Sequence, residues 1–136
     1  MVPAPSAWAV AVRFVLHVQG WVYVTTGLWP VVHLASFEHV TGEKYDDFLV
    51  HTVGLLLFVI GASLLRALHA GRPLTDVARV SAGAAASLLA IDVVYFLNGR
   101  LPPIYLLDAA AELVFLAAGV VSFLTQRRAA GSHVPR

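Results

Sequence analysis

The chain has no cysteine, a single methionine and few charges, with Asp, Glu, Lys and Arg making up 12% of its 136 residues. Without cysteine there is no disulfide framework, thiolate zinc site, iron–sulfur cluster or cysteine nucleophile. The shortage of charge excludes more. Soluble domains carry about 25% charged residues, so a chain that is 59% hydrophobic with mean hydropathy +0.78 has too little polar surface to cover a water-facing globule. A formal charge of +1 spread over scattered basic residues argues against nucleic acid as a partner, because phosphate binding needs a basic stripe. A glycine-rich phosphate loop, a nucleophile elbow and a zinc signature are also missing.

Long apolar runs are what the chain has in quantity. Crossing about 30 Å of hydrocarbon takes about 20 mostly apolar residues, and four such stretches occur, at about 8–32, 48–68, 77–97 and 104–125. They predict an all-α integral membrane bundle of four antiparallel transmembrane helices, with a single domain over 1–128 and a disordered tail over 129–136. Gly54 and Gly61 are spaced for close packing on the second span. The alanines around Gly83 and those at 109–111 predict close approach of the last two spans and small-residue faces for a homo-oligomer or a partner subunit. The fourth span should start after Pro102 and Pro103, which suit the first turn of a helix, and be stopped by Arg127 and Arg128. In the first loop, Ser36 is placed to cap a short helical turn that Gly42 ends, and Asp46 or Asp47 to cap the second span.

Lys and Arg near span ends are held on the cytoplasmic side. Arg66, Arg72, Arg79, Arg127, Arg128 and Arg136 fall on the side of the termini, against Lys44 and Arg100 on the other. Both termini are therefore expected in the cytoplasm, with the bilayer as the surrounding partner.

Ionisable residues inside spans are costly and are read as functional by default. Arg13 and His17 lie on the first span, Asp92 on the third, and Asp108 and Glu112 on the fourth; Gln19, Ser63 and Ser87 add uncharged polar atoms. Spacings of three and four put Tyr105, Asp108 and Glu112 on one helix stripe and Asp92 with Tyr95 on another. At about 1.5 Å per residue, Glu112 lies about 13 Å below Pro103, near mid-membrane. Acids outnumber the permanent cation Arg13, so at least one carboxyl is protonated, hydrated or bound to a cation. The plainer readings are that Arg13 snorkels, that Asp108 serves the helix dipole, and that His17 is a hydrogen-bonded packing residue. His33 and His51 flank the first loop at similar depth, the geometry of a shared metal ion or haem iron; the plainer expectation is no cofactor and an interfacial turn.

Gly27-Leu28-Trp29-Pro30, followed by Ser36-Phe37-Glu38 and Val40-Thr41-Gly42, resembles a group of small bacterial four-span membrane proteins, with an echo at Tyr105-Leu106-Leu107-Asp108 and Glu112. The resemblance implies a bacterial inner membrane and transfers no catalytic residue. The expected function is a binding or transport module whose outward-facing acidic pocket takes a cation, a proton or a small basic ligand, with Glu112 at its centre and Asp108 secondary. The alternatives are an accessory subunit of a membrane complex, and a membrane enzyme pairing Glu112 with His17 or Asp108 on a lipophilic substrate.

Overall fold

The computed structural model describes residues 6–131. Its helices are α1 (Ala7–Val32), α2 (Leu34–Thr41), α3 (Asp47–His69), α4 (Leu74–Leu97) and α5 (Tyr105–Gly131). All but α2 are long and apolar enough to cross a membrane. Phe14, Trp21, Leu56, Val59, Leu113 and Val114 are exposed on the outward faces, an arrangement that hydrocarbon favours and water does not. The chain is a multi-pass membrane protein built as a four-helix bundle.

The bundle consists of two antiparallel hairpins, α1 with α3 and α4 with α5, which meet chiefly through α1. Glycines let the first pair approach to backbone contact. A Cβ on Gly27 would stand 2.5 Å from the Gly54 carbonyl oxygen, and one on Gly61 would stand 2.6 Å from that of Gly20. The pairs 27/54 and 20/61 are each two turns apart on both helices, which fixes an antiparallel register. In the second hairpin, Gly119 lies against Ala82 and Ala78. Gly83 has nothing within 4 Å of its missing Cβ, so its face is open in the single chain.

Packing differs along the bundle. Toward the termini, Val12, Leu16, Leu64, Leu68 and Val77 form a closed apolar core, and Tyr23, Ala85 and Phe115 form a second at mid-depth. Beyond them, toward α2, the hairpins diverge around a cavity.

The ends of the elements depart from the sequence expectations in two places. The cap of α2 is His33, whose Nδ1 accepts the Ser36 N–H at 3.1 Å, while Ser36 lies within the first turn; an imidazole reaches the N–H three residues on as a hydroxyl would. Gly42 ends α2 at φ 88° and Asp46 caps α3, as expected. As expected, α5 starts after Pro102 and Pro103, whose carbonyls accept from Tyr105 and Leu106 in a tight turn. Arginine marks the edge of the hydrocarbon but does not break a helix, so α5 continues past Arg127 and Arg128 to Gly131, including 129–131 of the expected tail. Residues 132–136 of that tail lie outside the described residues.

Candidate functional site: an acidic cavity under a short helix

The cavity has a volume of about 570 Å³ and draws its lining from all five helices and the α2–α3 loop. Its walls are apolar, from Val22 on α1, Leu49, Val53 and Leu57 on α3, Leu88 and Ile91 on α4, Ile104 just before α5 and Leu107 on α5. The 3.6-residue period brings Tyr105, Asp108 and Glu112 of α5 onto it as one stripe, and α4 adds Asp92.

The floor is a buried polar network. Glu112 is 1% exposed and accepts a hydrogen bond from the Tyr23 hydroxyl at 2.6 Å. Gln19 Nε2 donates to the Tyr23 oxygen at 3.1 Å and to the Ser81 carbonyl at 3.2 Å, and the Ser81 hydroxyl donates back to Gln19 Oε1. An amide that is fully engaged on both atoms closes the floor against the apolar core below it.

Asp92 on α4 and Asp108 on α5 both line the cavity from the second hairpin. Asp92 is 6% exposed, and its Oδ2 is the one buried side-chain polar atom without a hydrogen-bond partner among the described residues. Asp108 is the more open of the two. Pro30, inside α1, has no N–H, so the Thr26 carbonyl on the cavity wall loses its i+4 donor. The lining is therefore rich in acceptors.

Helix α2 roofs this space. Phe37, Val40 and Thr41 face the cavity, and Trp29 ties α2 to α1 by donating to Ser36 Oγ at 2.8 Å and stacking edge-on with Phe37. Lys44 sits at the rim. Its ammonium donates to the Thr41 and Gly42 carbonyls, both at 2.9 Å, and lies 5.3 Å from the centre of the Tyr105 ring.

The residues singled out in the sequence thus divide. Glu112, Asp108, Asp92 and Tyr105 come together in the cavity. Tyr95 is exposed and lines a separate depression with Val94, Asn98 and Arg100. His17 is exposed and donates from Nδ1 to the carbonyl of Arg13, one turn earlier, at 2.8 Å; neither residue lines the cavity. An acid–base pair of Glu112 with His17 is not assembled in this arrangement. His33 is engaged as the α2 cap, and His51 donates from Nε2 to the Pro30 carbonyl at 3.2 Å, satisfying an acceptor at the end of α1. No group of three or more His, Cys, Asp or Glu converges on a metal position among the described residues. Of the uncharged polar residues only Gln19 enters the network, since Ser63 and Ser87 are exposed.

Tyr23, Ser81 and Lys44 are members of the site that sequence reasoning missed. For Tyr23 a signal existed in its spacing of four from Gln19, which puts both on one face. Lys44 carries none, because the fold of the loop, not a helical period, brings it to the rim.

Fold and site together define a four-helix membrane protein with a half-open acidic cavity, beyond which apolar core fills the bundle toward the termini. Compared with protein-family models, curated proteins and solved structures, the chain has no match in any of the three.

Proposed function

We propose that the protein is a membrane-embedded binding module that takes a small, positively charged ligand into its acidic cavity from the α2 side. One observation carries this reading: Asp92, Asp108 and Glu112 share a cavity whose basic lining, among the described residues, is Lys44 alone. Three carboxyls against one ammonium, in a largely apolar wall, call for protons or a further cation. The volume lies within the range of about 300–1,000 Å³ usual for small-molecule sites. The closed core toward the termini supports binding from one face over an open pore; transport would require the two hairpins to part there.

Protein purified in mild detergent is expected to show a bound cationic small molecule by native mass spectrometry, and the triple variant Asp92→Asn, Asp108→Asn, Glu112→Gln is expected to lose it. Retention of the same ligand by the folded triple variant would place binding elsewhere.

The orientation proposed for this module puts both termini in the cytoplasm of a bacterial inner membrane and the α2 end outside. The distribution of basic residues supports it, with Arg66, Arg72, Arg79, Arg127 and Arg128 near the termini side and Lys44 and Arg100 near the other. A reporter fused after Gln126 is expected to be active in the cytoplasm, and a tag at Gly42 to be labelled by an impermeant reagent in intact cells. The reverse labelling pattern would invert the topology and point the cavity inward.

A further inference from the structure

We propose that the cavity opens sideways, between α3 and the second hairpin, into the apolar layer of the bilayer, and that through this opening it takes a single-chain cationic amphiphile with its charged head against Asp108 and its chain in the opening. This rests on the cationic-ligand reading above and adds to it the ligand class and the way in.

The opening is marked by residues that are wall and surface at once. Val53 on α3, Ile91 on α4 and Leu107 on α5 line the cavity, yet they are 55%, 56% and 71% exposed. An enclosed wall would cover them far more. The helix contacts agree, since α3 packs closely on α1 but touches α4 only lightly and α5 less still. Toward the termini this seam is shut, where Leu64 and Leu68 of α3 share an apolar core with Val77 of α4. Toward α2 it parts.

Depth decides what faces the opening. Val53 lies six residues inside α3 and Ile91 six residues before the end of α4, which puts both about 9 Å below the α2 end of the bundle. Helix α4 has 24 residues and is therefore about 36 Å long, against about 30 Å of hydrocarbon. The opening is thus bordered by lipid chains, and its apolar edges are covered by hydrocarbon at no cost.

The head of the ligand follows from the polar side of the same opening. Asp108 lines the cavity, is exposed, and adjoins Leu107 in the chain. It lies three residues inside α5, about 5 Å from the start of that helix, so the charge stands nearer the α2 end than Val53 and Ile91 do. Charge above and apolar path below is the order of an amphiphile in its leaflet. Among the described residues the one ion pair joins Arg79 and Asp76, so Asp108 has no basic partner. The Lys44 ammonium at the rim is held by the Thr41 and Gly42 carbonyls. The counter-charge is left to a ligand, and a volume of about 570 Å³ suits one small molecule and hence one chain.

The test uses the full chain in phosphatidylcholine nanodiscs, with dodecylammonium carrying a diazirine at the chain end as the probe. After photolysis, peptide mass spectrometry is expected to find the label near Val53 and Ile91, displaced by excess dodecylammonium and not by dodecanol. Asp108→Asn, and Val53→Trp combined with Ile91→Trp to narrow the opening, are each expected to lower this labelling at least tenfold in protein shown by circular dichroism to be folded. Label spread over the outward faces and not displaced by dodecylammonium would overturn the lateral site, as would full labelling of the narrowed variant. Displacement by dodecanol as readily as by dodecylammonium would overturn the cationic head. Equilibrium dialysis of methylammonium, which has no chain, separates the two readings. If the lateral site fails but Asp108-dependent binding of methylammonium remains, the cationic-ligand reading stands alone; if that binding is missing as well, both fall.

Discussion

Replacing Gly27 with alanine is expected to cost the bundle about 3 kcal/mol or more, at the upper end of the usual penalty of about 1–3 kcal/mol for overpacking. The reason is what the new methyl group would meet. At 2.5 Å stands the Gly54 carbonyl oxygen and at 2.6 Å the Phe58 backbone nitrogen, and neither can swing aside as a side chain would. The helices must separate, which also pulls apart the Gly20/Gly61 contact two turns away. Thermal unfolding followed by size-exclusion chromatography in detergent should show a large drop in melting temperature or loss of the monodisperse species. Gly83→Ala is the matched control. Its Cβ would meet nothing within 4 Å, and removing a mid-helix glycine should stabilise α4 by about 0.5–1 kcal/mol. Equal melting of Gly27→Ala and wild type would show that the glycine seam does not hold the hairpin together.

The second large effect is expected at the Tyr23–Glu112 pair. Both side chains are 1% exposed, so a partner lost from either is not replaced by water. Glu112→Leu leaves the Tyr23 hydroxyl proton without an acceptor, and Tyr23→Phe leaves Glu112 without its donor; each should cost about 1–3 kcal/mol. The double variant should cost less than the sum, with a coupling of about 1–2 kcal/mol. Glu112→Gln keeps a carbonyl oxygen for Tyr23 and should fold within about 1 kcal/mol of wild type. Chemical unfolding of the set in one detergent measures all four. Strictly additive losses would mean that the two residues do not act as a pair. If Glu112→Gln also binds ligand as wild type does, Glu112 is a floor support, and the accessory-subunit reading gains ground for that residue.

Much of the architecture was legible in the sequence because lipid imposes a simple rule. A span must be long, apolar and internally hydrogen-bonded, and each of the four predicted stretches is one of the long helices. Gly54 and Gly61 were readable as packing positions, but their partners Gly20 and Gly27 follow only from the register of α1 against α3. The site was half legible. Period 3.6 grouped Tyr105, Asp108 and Glu112 correctly, yet depth alone made Glu112 the leading residue. Glu112 turns out to be satisfied by Tyr23, a bond 89 residues apart in the chain, while the unpartnered oxygen belongs to Asp92. Hydrogen-bond satisfaction between helices is a tertiary property that no single helix pattern encodes. His17 lies outside the cavity for a related reason: a polar residue near a helix carbonyl one turn back can be satisfied on its own helix, facing outward.

The polar network that joins the two hairpins bears on the order of assembly. Within the hairpins, glycine and alanine lie against backbone, with side-chain hydrogen bonds from His51 to the Pro30 carbonyl and between Thr75 and Gln126. Between them, the side-chain hydrogen bonds among the described residues run from Gln19 and Tyr23 on α1 to Ser81 and Glu112 on the second hairpin. During synthesis α1 and α3 emerge first and can zip at the glycine seam while Gln19 and Tyr23 still lack their partners. Polar groups left open in hydrocarbon favour one docking position over neighbouring ones, because a shift of one helical turn would strand them again. The buried network that floors the cavity therefore also serves as the alignment key by which a late-arriving half finds its place on an early one.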